Sequence, residues 1–367
     1  MSGIATKTML AAYIQNAWIP TGFFTGMFQV RPGNVYDGEE VEIDIQRSGE
    51  DVAIVVYDIS TGYRMNADDL YTNKSFKPPV FKEAFTINAF SLIKRQAGQN
   101  PFTNPVFRAN LTNAFFRGMV KVDEKIRRAI ELQAAQVLQT GKLSLINELG
   151  AVAYELDYKP KVTHFPTASV AWDAAGSTKL ADLEALCDVI RNDGQVRPDQ
   201  IIFGADAFRE FLADEEVYKL FESRRIDRGQ ISPVPNRGQD AAQYRGVINI
   251  GAYHLDVWTY GATYKDPQTG VVTEYMDPAK VVVRASGARM DATFGNIPNI
   301  GELLGVGPRA QMIPELPARM TGIAEGVDFH TNVWLDERGE ALFGGVGSRP
   351  LMIPTAIDTF ACLDTGI

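Results

Sequence analysis

The sequence predicts an α+β protein in which one domain is inserted into another. Three observations predict it. One long amphipathic helix, at 107–142, stands between strand-like stretches and has no helical partners to make a bundle. The middle of the chain mixes short helices and strands compactly. The chain then returns to strand signals, and its last twenty residues, SRPLMIPTAIDTFACLDTGI (348–367), are strongly apolar where termini are usually frayed and polar.

With 367 residues the chain is long enough for roughly two domains. Apolar residues make up 45% of it, which supports a real core and argues against global disorder. There are 36 basic and 45 acidic residues, a formal charge of -9. No Lys/Arg-rich run of five or more stands out, and the basic patch that an electrostatic grip on nucleic acid needs is not visible in the sequence. Two cysteines, Cys187 and Cys362, make neither a disulfide framework nor a zinc spacing, and a reducing compartment is the default. The first twenty residues lack the basic region, apolar stretch and cleavage site of a signal peptide, and no run approaches a membrane span. A soluble protein made inside the cell is expected.

Taken in order, residues 1–40 carry YIQNAWIPTGFFTGMFQV, apolar and aromatic but broken by Pro20, Gly22 and Gly26. No long helix fits there. Trp18, Phe23, Phe24 and Phe28 need a neighbouring surface, so an extended arm lying on another subunit is expected. VEIDIQ (41–46) alternates, VAIVVYDI (52–59) follows a Ser-Gly turn, and the two read as a hairpin. Residues 60–81 hold Pro78-Pro79 and no helical period, so they read as a long loop or loose ribbon; structureless loops of that length are usually functional. Phe76, Pro78 and Phe81 at its end join the arm aromatics as candidate inter-subunit contacts.

In the helix, Phe115, Met119, Val122, Ile126, Ile130, Ala134 and Val137 step by three or four, and Gly141 is the expected stop. One narrow stripe makes a bar lying on a sheet. AVAYELDY (151–158) reads as a strand, and 166–194 as a loop and helix capped by Ser177 or Thr178. Residues 196–225 read as strand, turn and helices, and 244–266 as strand signals broken by glycines. Lys280–Arg284 reads as a strand, 295–320 as irregular, and 328–353 as two strands joined at Glu337–Glu340. The terminal run Leu351–Leu363 is expected to close a sheet beside the early strands and under the long helix.

Chemistry is sparse. His164, His254 and His330 fall into no metal or catalytic spacing. The cysteines sit in apolar surroundings and read as inert buried thiols. LQTGKLS (138–144) lacks the glycine and hydroxyl of a phosphate loop. Asp68 and Asp69, near Asn66, are the one place where a carboxylate-metal enzyme could be imagined, and a solvated loop face is the plainer reading. No catalytic residue, cofactor or metal is assigned, and a structural role is favoured over an enzyme.

Several phrases, in order, carry a resemblance. They are FKPPVFKEAFTINA (76–89), the long stretch NPFTNPVFRANLTNAFFRGMVKVDEKIRRAIELQAAQVLQTGKL (100–143) and QIIFGADAFREFLADEEVYKLFESRR (200–225). YRGVINIGAYHLDVWTY (244–260), YMDPAKVVVRASGARMDATFG (275–295) and SRPLMIPTAIDTF (348–360) follow. Together they resemble the lambda-type major capsid proteins of tailed phages over nearly the whole chain. The resemblance implies the tailed-phage capsid fold of Hong Kong 97 type. It maps an N-terminal arm onto 1–40 and an extended loop onto 41–84. A peripheral domain would take 85–165, with the spine helix at 112–140, and be completed by return strands at 325–367. An axial domain would take 166–324. Hexamers and pentamers building an icosahedral head around double-stranded DNA are implied, with a separate scaffolding protein, a portal, possible trimeric decoration proteins and no sequence-specific DNA contact. The implied location is the virion, with assembly in the host cytoplasm. An encapsulin-like nanocompartment is the nearest alternative, because it uses the same fold around a protein cargo.

Overall fold

The computed structural model describes residues 22–30, 35–36, 41–45, 72–88, 107–146, 151–214, 217, 242–297, 330–335 and 341–367. Its longest element is helix α1, Phe107–Thr140, whose 34 residues span about 50 Å. All seven residues of the predicted stripe are buried on one side of it. The helix stops where a left-handed residue is needed. Gly141 has φ +65°, and its N–H donates to Val137 O at 2.8 Å, closing the last turn. A Cβ at Gly141 would also stand 2.4 Å from Pro160 Cγ. Gly141→Ala is therefore expected to lower stability by roughly 1–2 kcal/mol from backbone strain alone; a thermal melt within error of wild type contradicts it.

Helix α1 lies across three sets of strands. The first sheet has the order β14 (His330–Leu335), β15 (Ala341–Ser348), β4 (Phe81–Asn88), all antiparallel. Here residues far apart in sequence meet, with Phe81 opposite Ser348 and Asn88 opposite Ala341. The Phe85 ring lies between helix and sheet. A Cβ on Gly118 of the helix or Gly344 of β15 would stand 2.3 and 2.4 Å from its ring, so both positions must be bare for the helix to approach. A hairpin of β5 (Lys142–Ile146) and β6 (Val152–Asp157) follows the helix directly.

The second sheet has five strands in the order β17 (Phe360–Asp364), β12 (Lys280–Arg284), β7 (Gln200–Phe203), β9 (Tyr253–Tyr260), β8 (Ala242–Ile250). Strands β12 and β7 carry the continuous apolar runs Val281–Val283 and Ile201–Phe203 because both faces are covered there. Ile201, Phe203, Val281, Val283, Ala361 and Leu363 face one core, which is closed by helices α2 (Lys179–Gly194) and α3 (Ala205–Ala213). Ile202, Val282, Phe360 and Cys362 face the other, which continues under α1. A third sheet joins β1 (Val35–Tyr36), β13 (Asp291–Gly295) and β16 (Pro350–Ile353). Two ribbons stand apart from these sheets: β2 (Val41–Ile45) with β3 (Thr72–Phe76), and β10 (Thr263–Lys265) with β11 (Val272–Glu274).

One sequence expectation gains a new partner strand and another is corrected. Strand β2 pairs with Thr72–Phe76, Val41 opposite Phe76, while 52–59, its expected hairpin partner, lie outside the described residues. The partner TNKSF has no apolar alternation to announce it. The correction concerns the chain's end. Leu351–Leu363 does lie under α1, but not beside the early strands. Strand β16 pairs with β13 and β17 pairs with β12, both within 280–295. The return to an early strand is made by β15 on β4. The apolar pattern marked these segments as covered and carried no information about which strand covers them.

Candidate functional site

The first aromatic cluster of the sequence lands against the middle of α1. Phe23, Phe24 and Phe28 are buried at 7%, 0% and 5% exposure. Phe23 packs on Trp258 and Tyr260 with ring centroids 5.5 and 5.2 Å away, and Phe24 meets Tyr260 edge-on at 4.9 Å. The segment is also stitched by its backbone. Gln29 N–H donates to Met290 O at 2.9 Å, and Ala292 N–H donates to Gln29 O at 3.0 Å.

Glu131 is the centre of this contact. Its carboxylate, 3% exposed on α1, accepts from Phe24 N–H at 2.8 Å, Thr25 N–H at 2.8 Å, Thr25 Oγ1 at 2.6 Å and Tyr260 Oη at 2.8 Å. One side chain thus ties together the N-terminal segment, the long helix and strand β9. Burial first, and then the neighbouring Glu131, push the Tyr260 hydroxyl well above the ordinary tyrosine range, so it stays a donor. Gly22 fits because it has no side chain: a Cβ there would lie 1.8 Å from Glu131 Oε2. One helical stretch further on, Gln139 repeats the device. Its Nε2 donates to Tyr275 O at 2.8 Å and its Oε1 accepts from Asp277 N–H at 2.9 Å.

Phe23, Phe24 and Phe28 therefore have a core within their own chain, which corrects the ground on which they were expected to bury on a neighbour. The sequence showed that they need cover; the cover is Tyr260 and Trp258, more than 200 positions away. Trp18, Asp68 and Asp69 lie outside the described residues. Phe76 stands at the end of the β2–β3 ribbon, Pro78 is buried, and Phe81 starts β4 and is partly buried against the first core. Phe81 makes no ring contact with Phe23, Phe24 or Phe28 among the described residues. Glu131 was missed by sequence reasoning, although a carboxylate between Ile130 and Leu132 on an apolar helix face is itself a signal that it has partners.

The remaining candidates are structural. His164 is fully buried, with Nδ1 2.8 Å from Phe360 O and Nε2 3.1 Å from Asp193 Oδ2. Burial pushes the Cys187 and Cys362 thiols up to about 12, which keeps them protonated. Among the described residues no group of His, Cys, Asp and Glu is arranged to hold a metal, and no helix is long and apolar enough to cross a membrane.

Comparison with known proteins places this architecture. Among solved structures, a prophage capsid protein from E. coli CFT073 matches with a TM-score of 0.64 at 18% identity, covering 98% of each chain, which shows the fold. A phage-related protein from Bordetella bronchiseptica RB50 is similar at 11% identity with a TM-score of 0.49, over 98% of this chain and 97% of that one. The capsid of Ralstonia phage GP4 is similar at 11% identity and a TM-score of 0.47, over 96% and 86%. No curated protein sequence matches the chain. The family model described as phage major capsid protein E matches residues 6–364. With that match running almost end to end on a Hong Kong 97-type α+β fold, the chain belongs to the phage major capsid protein E family and is a shell protein of a tailed-phage head.

Proposed function

We propose that the chain is the repeating unit of hexamers and pentamers that close into an icosahedral head around double-stranded DNA. In this reading 1–40 is an arm and 41–84 an extended loop. Residues 85–165 with 325–367 form a peripheral domain, and 166–324 an axial one. Scaffolding and portal proteins are its partners in assembly, with a trimeric decoration protein as an optional outer addition. The protein encloses DNA without reading its sequence and catalyses no reaction. The observation that carries the reading is the family match over residues 6–364. The isolated two-stranded ribbon β2–β3, which shares no sheet with the rest of the described chain, supports an extended loop that finishes its packing on a neighbour. The nucleic-acid content of particles made during infection tests this function. DNA-filled particles are expected; particles holding a protein cargo and no DNA point to a nanocompartment instead.

The ribbon yields a second expectation. Amides of Thr72–Phe76 exchange quickly in free subunits and become protected on assembly, because a lone two-stranded ribbon is marginal in water. Equal protection in both states, read by hydrogen exchange, sinks this role for the ribbon.

A further inference from the structure

The exposed side of α1 is basic. Arg117, Lys121, Lys125 and Arg128 are all exposed. At about 100° per residue they fall within an arc of about 80°, and they run along about 16 Å of helix. Phe115, Met119, Val122, Ile126 and Ile130 are buried on the opposite side. Lys125 pairs with Glu83 at 2.5 Å and Arg128 stands 3.9 Å from Glu124, both at the surface. Arg117 and Lys121 carry no hydrogen bond or ion pair among the described residues. In a chain of net charge -9 this is a local reversal of sign, made by a spacing of three and four that no linear basic run reveals.

We propose that this ridge is where the subunit meets the phosphate backbone of the enclosed duplex DNA; the proposal rests on the shell reading above. Duplex DNA presents about one negative charge per 1.7 Å of axis, so a row of cations about 16 Å long always finds phosphates, whatever the sequence. Flexible Lys and Arg side chains on a rigid helix give charge contacts to phosphate and no base readout. With two of the four cations already engaged by Glu83 and Glu124, each subunit contributes a weak contact. Repetition over the shell makes it count, while the enclosed DNA stays free to slide.

The test uses the full-length chain and a short fluorescent duplex of arbitrary sequence, with anisotropy read from about 50 to about 200 mM salt. Wild type is expected to bind with a salt-dependent affinity. The R117E/K121E variant is expected to bind at least about tenfold more weakly at the low-salt end and to show a log–log salt slope flatter by about 2. The R197E/K265E variant makes the same change of charge at two exposed residues off the ridge, and it is expected to stay within about twofold of wild type. Wild type that does not bind, both variants weakened alike, or neither weakened overturns the proposal. R117Q/K121Q, with its helix content checked by circular dichroism, repeats the comparison should charge reversal disturb folding; binding equal to wild type then overturns it. Electron microscopy of the same preparations separates the two levels. Shells without a ridge effect leave the shell reading standing, whereas an absence of shells removes the shell reading itself.

Discussion

Ending the chain at Pro350 leaves no foldable subunit. The seventeen residues removed include β17, the edge strand of the five-stranded sheet, and all but the first residue of β16. Leu351, Met352, Ile353, Ile357, Phe360, Ala361, Cys362 and Leu363 are all at most 5% exposed. The larger ones contribute about 1.5–3 kcal/mol each as an upper-end figure, and together they exceed the roughly 5–15 kcal/mol by which a typical domain is stable. Polar groups are stranded as well. Tyr158 Oη loses its acceptor Met352 O at 2.6 Å, and His164 Nδ1 loses Phe360 O. Because alternate residues of β17 serve two cores, both cores open at once. The expected result is an insoluble protein, read from the soluble fraction on expression. Removing only Gly366 and Ile367, both exposed, is expected to be mild. Thr365 marks the boundary, since it is buried and its Oγ1 donates to Ala279 O at 2.5 Å. A soluble, cooperatively melting protein that ends at Pro350 contradicts this account of the terminus.

Replacing Glu131 with alanine is the second large effect. It leaves Phe24 N–H, Thr25 N–H, Thr25 Oγ1 and Tyr260 Oη facing one another without an acceptor. A buried donor left unsatisfied costs about 1–3 kcal/mol, and partial rehydration near Thr25 offsets some of the total. A loss of about 3 kcal/mol is expected, read as a lower urea midpoint at unchanged slope. The amides of Phe24 and Thr25 should then exchange well before those of α1. Tyr260→Phe removes a donor, not the acceptor, and is expected to cost only about 1 kcal/mol. A cost below about 0.5 kcal/mol for Glu131→Ala shows that the clamp does not hold the segment.

These residues also show what a single sequence reveals. The stripe of α1 was legible because a helix buried on one side forces a period of three to four, and Gly141 marked its end for a backbone reason. The terminal strands were legible as buried because both faces of β17 are covered. Their partners were not, since apolar residues specify burial and not a neighbour. The same gap misplaced Phe23, Phe24 and Phe28, whose need for cover was plain and whose cover comes from β9. Strand β13 went unread because DATFG is short and lies in a Gly-containing stretch; it exists because β16 and β1 flank it. Among candidate site residues, the aromatics were visible by type. Glu131 was not, because its role depends on Phe24, Thr25 and Tyr260, all more than 100 positions away.

The central claim is that this chain builds closed shells, and electron microscopy of the purified full-length protein tests it most directly, alone and after co-expression with its scaffolding partner. The account predicts ring-shaped capsomers and closed particles of uniform diameter. Monomers or small open oligomers under every condition, from a chain that is folded by circular dichroism, contradict it.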